Sequence, residues 1–170
     1  MKRTTLSLSL SLSLSLSFLL LGTLAAHAQP TIVKQFDDWG VCSYQSGGSK
    51  SCYVLTIPKT QQPASVDHGS NFFIVGSTKG AGLEPQAIMG YELKAGSRIN
   101  VTIGDNKFLM FVKDKSAWLA EEAREPAFIN AMRSGADLKL EAVSKRGTAT
   151  SYTYSLSGVT AALKRMSSCD

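Results

Sequence analysis

The side chains that could do chemistry in this 170-residue chain are few. Asp67, His68 and Ser70 offer an acid, a base and a nucleophile within one short stretch. A hydrolytic triad needs those groups to converge in space beside an oxyanion hole, and adjacency along the chain does not provide that. His68 is therefore expected to be a solvated loop histidine. The acidic pairs Asp37-Asp38 and Glu121-Glu122 could act as acid/base residues or calcium ligands. Neither pair stands in a ligand-spaced loop, so turn and helix-end roles are expected. Gly76 to Gly80 shares residue types with a phosphate loop but lacks the Walker spacing. Trp39 and Trp118 could stack sugars or bases, yet aromatics in a β-rich domain more often form core. No catalytic residue, metal ligand or cofactor site emerges, and a non-enzymatic protein is expected.

Cys42, Cys52 and Cys169 are the thiols. Cys42 and Cys52 lie symmetrically about Gly47. If Gly47-Gly48 forms a hairpin connection, the two cysteines face each other across adjacent strands, within reach of a disulfide. Closing that loop would stabilise the fold by roughly 3 kcal/mol in the chain-entropy account. A pair of inert buried thiols is the alternative. A zinc site is not expected, since it would have to take all three cysteines and the one histidine of the processed chain together. Cys169 is the odd thiol, either free, able to bridge two chains, or able to displace one partner of the Cys42–Cys52 pair, and a dimer through Cys169 is a candidate assembly.

The N-terminus has the pattern of an export signal. Lys2 and Arg3 precede an apolar run from Leu6 to Leu21 diluted by serines, and Ala26-His27-Ala28 supplies a small-x-small cleavage site. The expected division is a signal peptide over 1–28 and a single domain over 29–170. Export permits disulfides and implies the periplasm, with the outer surface or the medium as further destinations. Losing Lys2 and Arg3 lowers the formal charge from +5 to +3 (16 basic, 13 acidic). That is too mild for a nucleic-acid footprint, and no nucleic-acid partner is expected. Lys113, Lys115, Lys139, Lys145 and Arg146 are the candidates for a basic surface patch. No second apolar run approaches 18 residues, so no transmembrane span is expected after processing.

The elements that must position these residues are mostly strands. Leu138, Leu140 and Ala142 alternate with Lys139 and Glu141. Tyr152, Tyr154 and Leu156 alternate with Ser151, Thr153 and Ser155, and Gly147 lies in the turn between the two runs. This is the pattern of a half-buried hairpin. Further strands recur every eight to twelve residues: Ile32 to Phe36, Trp39 to Tyr44, Tyr53 to Ile57, Asn71 to Val75, Gln86 to Leu93, Ser97 to Ile103, Lys107 to Val112 and Ser116 to Leu119. That spacing indicates a sandwich or barrel. Pro58 to Ser70 and Ser77 to Pro85 read as loops by composition. One amphipathic helix is expected at about 122–133, with Phe128, Ile129 and Met132 as its apolar stripe covering an open end of the core. A short C-terminal helix is expected at about 158–164.

Several linked stretches carry a resemblance. FDDWGVC from Phe36, CYVLTIPK from Cys52, MGYELKAGSRINVTIGDNKF from Met89, AWLAEEAREPAFINAMRSG from Ala117 and RGTATSYTYSLSGVTAAL from Arg146 together resemble the invasion-associated locus B family. The likeness covers nearly all of the processed chain. It implies an exported protein of a Gram-negative bacterium, with an immunoglobulin-like antiparallel β-sandwich. It brings no catalytic residues, and it supports Cys42 and Cys52 as a pair. It implies an unidentified envelope or host protein as partner. The alternative is a small periplasmic hydrolase or redox enzyme with an unrecognised site.

Overall fold

The computed structural model describes residues 31–46, 49–78 and 82–168. The alternating stretch near the C-terminus forms β10 (Asp137–Val143) and β11 (Ala149–Ser155), antiparallel in unbroken register from Asp137 opposite Ser155 to Val143 opposite Ala149. Leu138, Leu140, Ala142, Tyr152 and Tyr154 are buried while Lys139 and Glu141 are exposed, as a half-wet strand demands. Gly147 closes the turn at φ 89°, a conformation that side-chain-bearing residues seldom adopt.

The other strands are β1 (Thr31–Phe36), β2 (Trp39–Ser46), β3 (Ser49–Thr56), β4 (Thr60–Gln62), β5 (Phe72–Thr78), β6 (Gly82–Ile88), β7 (Arg98–Ile103), β8 (Asn106–Lys113) and β9 (Ser116–Leu119). Every pairing among them is antiparallel, in the order β1-β2-β3-β5-β6-β9-β8-β7-β10-β11-β4. The sandwich is thus one continuous sheet folded over itself. Its two halves meet in the core, where Phe73 of β5 and Tyr154 of β11 pack edge to face at 5.8 Å. Two loop expectations are corrected. β4 lies inside 58–70, paired with β11, and β6 begins inside 77–85. Pro85 is tolerated within β6 because β9 pairs only from Gln86 onward, so Pro85 is locally at an edge.

Two helices close one end of the core. A 3-10 turn (Glu122–Arg124) leads into α1 (Glu125–Ser134), with Pro126 in its first turn. Phe128 is fully buried, stacked on Phe73 at 6.0 Å and tilted against Phe108 at 4.7 Å. Ile129 and Met132 are buried beside it. The stripe therefore ties both sheet halves to the helix. In α2 (Val159–Met166) the buried residues are Val159, Ala162, Leu163 and Met166, the i, i+3, i+4, i+7 spacing of one helix face. Gly158, at φ 87°, lies so close to the Phe36 carbonyl that any β-carbon there would collide with it. Nearby, Asp38 donates its backbone N–H to Ser157 at 3.3 Å, and the Trp39 indole donates to the Ser155 carbonyl at 3.0 Å. These contacts bind the β1–β2 hairpin to the start of α2.

Candidate functional site

His68 is not solvated. It is 7% exposed, held in a loop that Asn71 organises. The Asn71 amide donates to Gln61 Oε1 at 2.8 Å and to the His68 carbonyl at 3.0 Å, while its Oδ1 accepts from Gly90 N–H at 3.0 Å. The ring Nε2 lies 2.9 Å from the Pro63 carbonyl, which can only accept, so that nitrogen carries a proton. Nδ1 lies 2.8 Å from the Tyr152 hydroxyl. From there the chain of contacts runs to the Tyr91 hydroxyl at 3.1 Å, to Thr150 Oγ1 at 2.6 Å and on to the Ala142 carbonyl at 3.3 Å. Both ring nitrogens are engaged in a structural network. The Asp67 carboxylate instead accepts the Gly69 N–H at 2.9 Å, and Ser70 is exposed. Asp67, His68 and Ser70 do not converge on one point.

The cysteine pairing is also corrected. Strands β2 and β3 place Cys42 opposite Tyr53, and Cys52 opposite Ser43. A one-residue offset sends neighbouring side chains to opposite faces of a sheet, so the two sulfurs do not face each other. Cys42 is a free thiol, 2% exposed. Burial raises its pKa against a smaller lowering by Tyr53, which keeps it protonated and a poor nucleophile. Cys52 packs on the core side and is disulfide-bonded. Cys169 and the expected signal peptide over 1–28 lie outside the described residues.

The acidic and basic candidates separate. Asp38 pairs with Lys59, and hydrogen bonds from Lys59 and then Ser155 lower its pKa. Ser157 Oγ donates to Asp37 at 3.1 Å. Both acids fasten turns. Lys145 and Arg146 line one cleft of about 550 Å3 with Asp67 and Glu92, where Lys145 reaches Glu92 at 3.6 Å. Lys139 points outward from β10, opposite Thr102 and Thr153. Lys115 is in the β8–β9 turn, and Lys113 lines a groove beside Phe111 and Trp118. Among the described residues no cluster of His, Cys, Asp and Glu could hold a metal ion, and no helix is long and apolar enough to cross a membrane.

The surface that sequence reasoning misses is the outer face of β1, β2, β3, β5 and β6. Tyr44, Tyr53, Leu55, Phe72, Ile74 and Ile88 point away from the core there and, with Ile32, line a hollow of about 670 Å3. Cys42 lies in the same hollow. Ile32 is 68% exposed and Tyr44 is 41% exposed, with its ring 6.0 Å from that of Tyr53. The signal is the run Phe72-Phe73-Ile74-Val75. A strand apolar on both faces beside a solvent-facing sheet surface leaves one apolar row outside the core.

Residues 39–167 match the family described as Invasion associated locus B (IalB) protein. Among solved structures, the fold is similar to the crystal structure of invasion associated protein B from Bartonella henselae. The TM-score is 0.61 at 13% identity, over 81% of this chain and 96% of that one. At that identity the likeness carries the fold and no residue roles. No curated protein matches the chain.

Proposed function

The chain belongs to the invasion associated locus B family, and on that premise we propose that it is an exported, non-catalytic protein that binds an envelope or host protein through its outer sheet face. The observation carrying this reading is the apolar, tyrosine-bearing row from Ile32 to Ile88 left outside the core. Contiguous apolar surface with aromatic side chains is characteristic of protein docking sites. The signal-peptide pattern and the oxidised state of Cys52 support export. A hydrolase or redox reading finds less support, since His68 is committed at both nitrogens and the Cys42 thiol is buried and protonated.

The test uses protein beginning at Gln29, crosslinked in an envelope fraction. Ile32→Ser with Tyr44→Ala removes two exposed side chains, so the denaturation midpoint should stay near wild type while the crosslinked partner is lost. Unchanged capture by that folded variant removes the outer face from consideration.

A further inference from the structure

Trp39 is buried in the core, but Trp118 is half-exposed on the outer face. Trp118 and Phe111 are register partners on β9 and β8, and their rings stack at 5.7 Å with 24° between planes. Phe111 is 42% exposed. With Leu83 and Leu119 the pair lines a groove of about 460 Å3, with ample room for a long side chain and within the size range of ligand-binding clefts. Pro85 and the charged residues Glu84, Glu122, Glu125 and Lys113 complete the lining. Among the described residues none of these four charged side chains forms an ion pair. The helix dipole accounts for Glu122 and Glu125, which stand at the front of α1. It does not account for Glu84, which comes from β6. The groove thus carries excess negative charge in a chain of formal charge +5.

We propose that this groove binds the guanidinium group of an arginine side chain presented by a partner polypeptide. A planar cation can stack on the flat aromatic pair while its N–H donors take the flanking carboxylates. An ammonium group is more strongly hydrated and stacks less well, and quaternary ammonium groups are held by aromatic cages, not by one platform. The chain uses the same pairing internally, where the Arg124 guanidinium lies 4.6 Å over the Phe108 ring. Glu84 also lines the apolar outer face, so a polypeptide on that face runs past the groove. The arginine site stands without that reading.

The experiment titrates the chain beginning at Gln29 with acetyl-Gly-Arg-Gly-amide and follows the two tryptophan indole N–H signals by NMR. Trp39 is the internal control, because it is buried and hydrogen-bonded to Ser155. The Trp118 signal should shift saturably and the Trp39 signal should not. The lysine peptide should bind about tenfold more weakly, and the neutral citrulline peptide should give no saturable shift, since each lacks part of the stacked, charge-assisted contact. Glu84→Gln with Glu122→Gln should weaken the arginine peptide by about tenfold or more while the Trp39 signal stays in place and reports an intact fold. The proposal is overturned by an equal response to citrulline, by arginine binding indifferent to the glutamate changes, or by no saturable shift at Trp118.

Discussion

His68 and Tyr152 meet at 2.8 Å, ring nitrogen to hydroxyl, although 84 residues separate them. The rings are edge to face at 5.3 Å. The contact fastens the loop after β4 to the inner face of β11, so a residue with the makings of a general base serves as a knot in the fold. The Tyr152 hydroxyl also touches Tyr91, whereas the Tyr154 hydroxyl, two residues on, is buried with no hydrogen-bond partner among the described residues.

That difference gives the first prediction. Tyr152→Phe strips a buried hydroxyl from two partners and should cost on the order of 1–3 kcal/mol. Tyr154→Phe removes a hydroxyl that makes no such bond and should cost clearly less. Urea unfolding of both variants checks the ordering, and equal losses would show that the hydroxyl network contributes nothing of its own.

The same two tyrosines set the alkaline behaviour. Burial first, and Tyr91 second, raise both pKa values well above the usual phenol range. The folded protein therefore keeps protons that the unfolded chain releases near pH 10. Stability is fully present below that pH and falls above it, by about 1.4 kcal/mol per pH unit for each such tyrosine. Unfolding free energies measured between pH 9 and 11 should show this decline, and Tyr152→Phe should make it shallower. A flat profile contradicts the assignment.

How much of this was legible follows from which residues carried the signal. The β10–β11 hairpin reads directly because Lys139 and Glu141 mark its wet face between the buried Leu138, Leu140 and Ala142. The outer face of β5 is silent, since Phe72-Phe73-Ile74-Val75 is apolar on both sides and alternation cannot say which row meets the core. The burial of His68 depends on Tyr152 and Pro63 together, and nothing local in the Asp67-His68-Gly69 stretch encodes it. β4 is three residues long and its register comes entirely from β11. The cysteine error is smaller still. Ser46 pairs with Ser49, so the hairpin is symmetric between residues 47 and 48, not about Gly47, and half a residue of symmetry reverses a face.

Phe128 tests the helix as a closure of the core. Its ring contacts Phe73 from one sheet half and Phe108 from the other. Phe128→Ala should destabilise by about 3–5 kcal/mol, the usual loss for emptying a buried aromatic site. A denaturation midpoint within error of wild type would mean that α1 is dispensable to the core.

The proposed export carries a definite N-terminus as its expected outcome. The small residues Ala26 and Ala28 place cleavage after Ala28, so periplasmic material should begin at Gln29. Intact-mass measurement decides it. A mass that retains residues 1–28 rules out processing at this site.

The cysteines supply the last prediction. Cys42 is a free, buried thiol facing Tyr53, and Cys52 is disulfide-bonded. The chain holds three cysteines, so within one chain the remaining partner for Cys52 is Cys169. That loop spans most of the domain, and its closure should stabilise the fold by about 4–5 kcal/mol in the chain-entropy account. It would also consume the thiol that could otherwise have bridged two chains. A non-reducing digest of protein alkylated after unfolding should give a Cys52–Cys169 peptide and a singly alkylated Cys42. Native protein should leave Cys42 unlabelled, because the thiol is buried and protonated. A Cys42–Cys52 peptide would contradict the β2–β3 register itself. A disulfide-linked dimer through Cys169 would instead restore the covalent assembly and leave Cys52 to another bond.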